Sequence, residues 1–261
     1  MMSARQIDLN SDVGESFGNY KLGLDEELIP LISSANIACG FHAGDPTVLR
    51  RTVVLARDHD VAVGAHPGLP DLMGFGRRTM EVSSEEIRDY VTYQIGAIQA
   101  FALAEGVRLR HVKPHGALYN MAVRNPAIWE TIAAALADLD KDLVLFVLGG
   151  ADRDELQAMG ARHGIRIAFE FFADRAYNPD GSLVSRKTPG AVIKNHDLAA
   201  QRVRKMATEG KVTCIDGTDI ALHADTICVH GDNPAALQLV RKIRETLAAA
   251  AVDIKPPQSF L

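Results

Sequence analysis

Residues that can do acid–base or metal chemistry stand beside glycine or proline, directly after short apolar runs of the sequence. The strings that carry them include Cys-Gly-Phe-His-Ala-Gly-Asp-Pro, Ala-His-Pro-Gly, Lys-Pro-His-Gly and His-Gly-Asp. The polar residues at such positions are His42, His66, Lys113, His115, Glu170, Asp174, Arg175, His230 and Asp232. Imidazoles and carboxylates gathered at one place can transfer protons, stabilise developing charge or bind a divalent cation.

The segment Asp8-Leu9-Asn10-Ser11-Asp12 adds three polar side chains that would share one face of a strand, directed into the protein or its mouth. Asp12 and Glu15 lie nearest the end of this strand and are the better candidates for a site. Asp8 and Asn10 either contribute to that site or only bridge neighbouring strands.

The histidines divide into functional and structural candidates. His111 and His115 are four residues apart, as in some metal-binding pairs, but on a strand this separation spans roughly 13 Å, and Pro114 excludes a helix. We therefore predict that His111 is structural and that His115 is functional. The histidines that fall on helices or helix edges receive no role; they are His59, His163, His196 and His223.

Arginines near the same positions could hold an anionic substrate, because guanidinium binds carboxylate or phosphate in a bidentate way. Arg77 and Arg78 follow Gly74-Phe75-Gly76, and Arg175 is accompanied by Arg186. The glycines that flank Phe75 favour a mobile lid.

A series of strands separated by helices must position these residues. Short apolar runs predict strands at Ile7–Asn10, Ala35–Cys39, Val61–Ala65, Arg110–Lys113, Leu143–Leu148, Ile165–Glu170, Val212–Ile215 and Thr226–His230. Capping residues and helical periodicity predict helices at Thr47–His59, from Ser83 to about Glu105, at Ala127–Leu136, and from Asn233-Pro234 through Ala251. This alternation predicts an α/β fold, a closed β/α barrel in one domain over residues 1–261. The carboxyl ends of all its strands open on one face, where we expect the polar residues to converge.

Composition limits the class of protein. The chain has 261 residues, of which 47% are hydrophobic and 23% charged, enough for a large core. Its net charge of −5 makes nucleic acid an unlikely partner. Apolar runs such as Leu143–Leu148 are far short of the ~20 residues of a membrane span, and Met1–Asn10 lacks the apolar core of a signal peptide, so we expect a cytoplasmic protein. The sparse cysteines, Cys39, Cys214 and Cys228, are predicted to be reduced core residues.

The sequence lacks three familiar catalytic and nucleotide-binding motifs. It contains no Gly-x-x-x-x-Gly-Lys-Ser/Thr string, and no Gly-x-Gly-x-x-Gly follows a predicted strand. A Gly-x-Ser-x-Gly nucleophile elbow is also absent. Nucleotide binding by this chain alone and a serine hydrolase mechanism are therefore unsupported.

Long ordered motifs distributed over essentially the whole chain resemble those of the LamB/YcsF family. They are DLNSDVGESFG at 8–18, ANIACGFHAGDP at 35–46, AHPG at 65–68 with Asp71, GFGRR at 74–78, VKPHGALYN at 112–120, Glu170 with ADRAY at 173–177, and VHGD at 229–232. One departure is Ser11, where the family usually carries cysteine. Serine is the weaker nucleophile, which puts a catalytic thiol at this position in doubt.

The resemblance implies an irregular (β/α) barrel of seven to eight strands, similar to the glycoside hydrolase/deacetylase type. It also implies ATP-dependent opening of 5-oxo-L-proline to L-glutamate, together with separate B and C subunits. The missing nucleotide motifs fit this expectation if the partner subunits bind ATP or share its site. An unstrained lactam resists hydrolysis, and phosphorylation of its amide oxygen would activate the ring carbon for attack by water.

For this reaction, Asp12 or Glu170 would take the proton from water, and His42, His66 or His115 would stabilise charge or protonate the leaving nitrogen. Arg77 or Arg175 would hold the substrate carboxylate. The catalytic candidates are Asp12, His42, His66, Lys113, His115 and Glu170; whether Lys113 and Tyr119 are catalytic or structural is left open. The candidates for substrate binding are Asn10, Glu15, Arg77, Asp174, Arg175, His230 and Asp232.

Two alternatives use the same residues differently. Asp12, His42 and His66 supply an oxygen and two nitrogens, a suitable set for a divalent metal ion in a deacetylase or amidohydrolase that acts alone. In the other alternative, the chain is a binding or scaffolding subunit that only holds 5-oxo-L-proline or organises its partners.

Overall fold

The computed structural model describes residues 5–150, 152–229 and 235–261. The predicted site residues His230 and Asp232 lie outside these ranges, as does the start of the predicted C-terminal helix at Asn233. The strands in the described ranges are β1 (Arg5–Val13), β2 (Ser34–Ala38), β3 (Ala62–His66), β4 (Leu109–Val112), β5 (Val144–Leu148), β6 (Arg166–Phe172), β7 (Lys211–Thr213), β8 (Asp219–Ala221), β9 (Thr226–Cys228) and β10 (Val252–Ile254). The helices are α1 (Asp25–Leu28), α2 (Pro46–Asp58), α3 (Ser84–Ala104), α4 (Gly116–Arg124), α5 (Pro126–Leu139), α6 (Arg153–His163), α7 (His196–Glu209) and α8 (Ala235–Ala249).

Seven parallel strands close into a barrel in the order β1-β2-β3-β4-β5-β6-β9. β9 completes the ring because it pairs in parallel with β6 on one side and with β1 on the other. The helices that follow successive strands cover the outside. The predicted irregular barrel of seven to eight strands is confirmed.

Two segments near the C-terminus differ from the prediction or extend it. The segment predicted as a strand at Val212–Ile215 is not part of the barrel: β7 pairs antiparallel with β8 in a separate two-stranded sheet. Its turn at Asp216 is only a few residues long, so the chain reverses there and cannot cross over to a parallel barrel position. β10, which was not predicted, pairs in parallel with the first residues of β1.

The predicted helix starts depend on local capping. The Asp45 carboxylate accepts hydrogen bonds from the backbone N–H groups of Thr47 and Val48 at 2.8 and 2.9 Å and caps α2. Ser83 and Glu86 form a reciprocal capping box at the start of α3. Such caps satisfy N–H groups that have no partner within the helix. None of the described helices is long and apolar enough to span a membrane.

The main hydrophobic core lies between the barrel and its helices, whereas much of the barrel interior is polar. Val144, Phe146 and Ala168 form a small apolar cluster of their own, and the Phe146 ring stacks on His111 at 4.4 Å between centroids. The buried polar residues of the barrel strands include Asp8, Asn10, Asn36, His111 and Glu170. Buried polar groups need partners, so the interior must contain a hydrogen-bonded network.

Candidate active site

Lys113 is the centre of a buried polar network at the carboxyl end of the barrel strands. Its ammonium nitrogen lies 2.8 Å from Asp12 Oδ1 and 3.0 Å from Glu170 Oε1. It also lies 3.0 Å from the sulfur of Cys228. These groups come from β1, β6, β9 and the end of β4, so their contacts cross the barrel interior.

The neighbours of Lys113 are bound to each other as well. The Asn10 side chain donates to Glu170 Oε1 at 3.0 Å, and the Tyr119 hydroxyl donates to Glu170 Oε2 at 3.0 Å. Asn36 donates to Asp12 Oδ1 at 2.8 Å. We call this set the lysine cluster; its members are Asn10, Asp12, Asn36, Lys113, Tyr119, Glu170 and Cys228.

The contacts and burial of the lysine cluster determine which of its members are charged. Burial alone would lower the pKa of Lys113, but the negative groups around it, Asp12 foremost, raise that pKa well above its ordinary value. Lys113 is therefore a cation at neutral pH. Burial raises the pKa of the Tyr119 hydroxyl and of the Cys228 thiol well above their ordinary values, so both stay protonated.

Three histidines and a glutamate form a second group, the histidine cluster, made of Glu15, His42, His66 and His115. His66 Nε2 lies 3.0 Å from His115 Nδ1. Glu15 Oε1 lies 3.6 Å from His42 Nε2 and 4.0 Å from His115 Nδ1. His66 Nε2 is also 3.3 Å from Asp12 Oδ2, which joins this cluster to the lysine cluster.

Hydrogen bonds to backbone carbonyls fix the orientation of two of the rings. His66 Nδ1 lies 2.6 Å from the carbonyl of Lys113, and His115 Nε2 lies 2.8 Å from the carbonyl of Phe75. Because a carbonyl only accepts, the hydrogen is on the ring nitrogen in each case. Burial and the neighbouring His42 and His66 hold the pKa of His115 well below its ordinary value, so its ring is neutral.

His42 differs from the other two rings because neither of its nitrogens makes a hydrogen bond within the described residues. Its side chain is fully buried and stacks on His115, with parallel rings 3.7 Å apart between centroids. Burial, with help from His66 and Arg77, keeps the pKa of His42 well below its ordinary value. A buried neutral imidazole without a hydrogen bond is a costly arrangement.

The histidine cluster is the set of described residues that could hold a metal ion, because its four ligand atoms all lie within 4.8 Å of one another. The sequence predicted Asp12, His42 and His66 for this purpose. The structure places Glu15 and His115 with the histidines, and turns Asp12 towards Lys113 and Asn36 as well as His66.

The loop after β3 brings its backbone against the histidine rings. Gly76 has φ of +62°, and a Cβ built on it would lie 2.6 Å from His42 Cβ and 2.8 Å from His115 Cδ2. Phe75, the centre of the predicted lid, supplies the backbone carbonyl that binds His115. The guanidinium carbon of Arg77 lies over the Phe75 ring, 4.9 Å from its centroid. Arg77 is exposed and lies at the rim of the site.

The other predicted arginine and its neighbours lie in the long connection between β6 and α7. Arg175 is buried, and its Nη2 donates to the carbonyl of Val184 at 2.6 Å. Its Nε has no hydrogen-bond partner in the described residues. Asp174 is half-buried, and its backbone carbonyl accepts a hydrogen bond from the N–H group of Ile193. Arg78 is bound to Asp71 in its own loop.

The structure separates the polar residues of β1 by depth. Asp8 accepts hydrogen bonds from the hydroxyls of Ser33, Ser34 and Thr226 and joins three strands at the bottom of the network. Asn10 lies one step higher and contacts Glu170. Ser11 points the other way, and its hydroxyl donates to the carbonyl of Val229 at 2.6 Å.

Several members of the network were not recognised as site residues from the sequence. Asn36 lies inside a motif used for the family resemblance, and Cys228 was predicted only as a core residue. Tyr119 was left open and contacts Glu170. His111, predicted to be structural, lies 2.8 Å from the side-chain oxygen of Asn36. The position of Asn36 in the otherwise apolar predicted strand Ala35–Cys39 was the available signal, because a polar side chain there must find a buried partner.

Comparison with known proteins adds a consistent picture. The model of the LamB/YcsF family matches residues 7–261. The A subunit of the 5-oxoprolinase of Pyrococcus abyssi is 54% identical over 256 residues, which cover 98% of this chain and 99% of that protein. The corresponding A subunit of Bacillus licheniformis is 53% identical over 250 residues, 96% and 98% of the two chains. The crystal structure of the lactam utilization protein from Thermus thermophilus superposes with a TM-score of 0.89 at 47% identity, covering 96% of this chain and 99% of that one.

Proposed function

Because the chain belongs to the LamB/YcsF family, we propose that it acts as the A subunit of an ATP-dependent 5-oxoprolinase, which opens 5-oxo-L-proline to L-glutamate together with B and C subunits. The observation that carries this proposal is the 54% identity, from end to end, with a relative that is named as the A subunit of 5-oxoprolinase. The chain lacks the common phosphate-binding motifs, so we assign ATP binding to the partner subunits or to a surface shared with them.

The chemistry needs both activation and proton transfer. Phosphate from ATP is transferred to the lactam oxygen, and water then adds to the ring carbon and loses one proton. The ring nitrogen must gain a proton so that the C–N bond breaks in preference to the C–O bond to phosphate. A second water molecule hydrolyses the resulting acyl phosphate, so that 5-oxo-L-proline, ATP and two molecules of water give L-glutamate, ADP and phosphate.

Asp12 is the better base of the two carboxylates. Its side chain is 10% exposed, whereas that of Glu170 is completely buried. Both carboxylates have partners on each oxygen. Glu170 is held by Asn10, Lys113 and Tyr119, and Asp12 by Asn36, Lys113 and His66, so exposure decides between them. Asp12 can take the proton from water and return it to the ring nitrogen, in keeping with general acid–base catalysis by one positioned carboxyl group.

Lys113 would stabilise the negative charge of the phosphoryl group on the lactam oxygen, whereas the electron pair of the C=N bond moves to the ring nitrogen when water adds. Its raised pKa makes it a poor proton donor but a dependable cation in a site that excludes most water. His66 contacts Asp12 and orients it. Arg77, exposed at the rim beside the histidine cluster, is better placed than Arg175 to bind the substrate carboxylate, since Arg175 is engaged with Val184.

The test is glutamate release from 5-oxo-L-proline by this chain alone, by the B and C partners alone, and by all three, each with and without ATP. We expect product only in the complete mixture with ATP. No product there, with all three chains shown to be folded, would contradict the proposal.

Two variants separate catalysis from scaffolding in the complete mixture. Asp12→Asn should lower kcat by at least ~100-fold, the usual contribution of a general base. Asp216→Asn, at an exposed turn outside the barrel, is the matched control and should retain full activity. Normal turnover by a folded Asp12→Asn complex would rule out Asp12 as the base, and normal turnover with the whole strand-end cluster substituted would support the scaffolding alternative.

The histidine cluster favours one second candidate function, a metal-dependent amidohydrolase that acts alone. This function would give hydrolysis of an amide substrate by the isolated chain, without ATP, and the activity would be lost with a chelator. Activity that depends on ATP and is insensitive to chelators would count against it.

A further inference from the structure

The facing nitrogens of His66 and His115 pose an electrostatic problem. Each ring donates its other N–H group to a backbone carbonyl. The two nitrogens that face each other at 3.0 Å are therefore the ones left to accept, either a shared proton or a metal ion. Two acceptors at this distance repel unless a cation lies between them. The two ring planes are nearly perpendicular, at 89°, so a cation can lie in both planes at once.

Two further ligand groups converge on the same point. Glu15 Oε1 lies 4.0 Å from His115 Nδ1 and 3.6 Å from His42 Nε2. In a tetrahedral zinc site with bonds of about 2.1 Å, ligand atoms are separated by about 3.4 Å. The distances within the cluster fall on both sides of that value, so small shifts of the side chains would complete the site.

We propose that Glu15, His66 and His115 bind a divalent transition-metal ion, with Zn²⁺ as the best match, and that His42 is its fourth ligand. Imidazole and carboxylate ligands suit Zn²⁺. The carbonyls of Lys113 and Phe75 act as outer partners that fix the ring nitrogens, an arrangement that is usual for metal-binding histidines. The site does not depend on the proposed ring-opening reaction, because it rests on geometry alone.

His42 must move to take part. Its ring is parallel to that of His115, with an interplanar angle of 1°, so one ion cannot lie in both ring planes. No hydrogen bond within the described residues opposes rotation of the His42 ring. Metal binding therefore breaks the His42–His115 stack, and His66 and His115 are expected to contribute more to affinity than His42.

The direct test is isothermal titration calorimetry, in which Zn²⁺ is titrated into the chelator-treated chain without an affinity tag. We expect one ion per chain and a rise in Tm with Zn²⁺ concentration, because a ligand that binds only the folded state stabilises it. Replacement of Zn²⁺ by Co²⁺ should give the visible absorption of a tetrahedral cobalt complex with nitrogen and oxygen ligands.

Variants assign the ligands. His115→Ala and His66→Ala should each weaken binding by at least ~100-fold, since even loss of an outer partner costs about 10–100-fold. Glu15→Gln, a nearly isosteric change, should weaken it while preserving the fold measured by circular dichroism. His163→Ala is the matched control, because His163 contacts Glu130 in a histidine–glutamate pair remote from the barrel mouth and should leave binding unchanged.

Two outcomes would overturn the proposal. Calorimetry with no heat, no change in Tm and no cobalt absorption would mean that a shared proton separates His66 from His115. Binding of equal strength in wild type and in the folded Glu15→Gln and His115→Ala variants would mean that the ion is held elsewhere. Both outcomes are independent of whether the complete complex releases glutamate.

Discussion

At the scale of single residues, the buried charges are compensated by direct contact. Lys113 is the cation that meets two carboxylates, Asp12 and Glu170, at 2.8 and 3.0 Å. The Lys113 side chain is only 3% exposed, so water cannot take its place as the partner of the two carboxylates. Removing one member of such a group leaves the others charged in a medium that solvates them poorly.

Lys113→Met should therefore destabilise the protein strongly, by about 3–5 kcal/mol, because it leaves two buried carboxylates without their cation. The free energy of unfolding is measured from urea titrations. Lys242→Met is the matched control: Lys242 pairs with Asp197 on the surface, and its loss should have little effect because exposed ion pairs contribute little to stability. Equal effects of the two substitutions would contradict the role given to Lys113.

Asp8 makes a different prediction, about pH. Burial raises its pKa from 3.8 to about 6, against the lowering effect of its hydroxyl partners and with a small contribution from Glu170. Between these two pH values the folded chain holds a proton that the unfolded chain has released. Folding stability from this group is thus fully present below pH 3.8 and is lost as pH rises through about 6.

Asp8→Asn removes this titration with little change in shape. The difference in unfolding free energy, wild type minus variant, should fall by on the order of 3 kcal/mol between about pH 4 and pH 7. Asp25, whose pKa is also raised to about 6, is present in both proteins and cancels. Asp216→Asn, with a carboxylate whose pKa is lowered by its bonds to Thr218, should give a flat difference over this range. A flat difference for Asp8→Asn would rule out the buried titration.

At the scale of elements, loops after the strands decide how closely the histidines approach each other. The loop after β3 is tied to the first turn of α4, because the N–H of Ala117 donates to the carbonyl of Gly76 at 2.8 Å. The same loop supplies the carbonyl of Phe75 to His115. The absence of a side chain at Gly76 allows this loop to lie directly over His42 and His115.

Gly76→Ala should therefore damage the site as well as the fold. Its Cβ would lie 2.6 Å from His42 Cβ, at a φ of +62°. Gly106→Ala is the matched control, with φ of +73° and no atom within 4 Å of the built Cβ. Both substitutions carry a backbone cost of roughly 1–2 kcal/mol in the left-handed region. In urea titrations, Gly76→Ala should lower the free energy of unfolding more than Gly106→Ala does, and it should also weaken Zn²⁺ binding. Identical behaviour of the two variants would show that the loop can move to make room for the added methyl group.

At the scale of the whole molecule, closure of the barrel hides its interior from solvent. Cys228 on β9 faces Lys113 and is 0% exposed, and Cys39, at the end of β2, is 4% exposed. Burial also raises the pKa of Cys39 to about 12, so its thiolate is scarce. All three cysteines are buried, so the prediction that they lie in the core is confirmed.

The thiols should therefore report on opening of the barrel. In native protein we expect little reaction with Ellman's reagent, and in guanidinium all three thiols should react. Mass spectrometry should show that Cys214, which lies beside the β7–β8 sheet, reacts first, and that Cys39 and Cys228 react only as fast as the barrel unfolds. Labelling of Cys228 at a rate independent of denaturant would mean that the barrel opens locally. A Cys214→Ser variant removes the earliest signal and serves as the control.

Local sequence determined the strands, the helix caps and the position of most site residues at strand ends. The strands of the barrel were predicted to within a few residues, as were the starts of α2, α3 and α5, because periodicity and capping act over a few neighbouring positions. Residues such as His42, His66 and His115 could be assigned to one face for the same reason, since parallel strands in a barrel end together.

Only the tertiary structure decided which of these residues touch. Asp12 and Lys113 are 101 positions apart, and Lys113 and Cys228 are 115 apart, so their contacts depend on the register with which the strands close. A shift by one residue would turn every inward side chain outward. For the same reason the sequence could not tell that Glu15 lies with the histidines, that Asn36 faces the interior, or that Val212–Ile215 leaves the barrel to pair with a neighbouring strand.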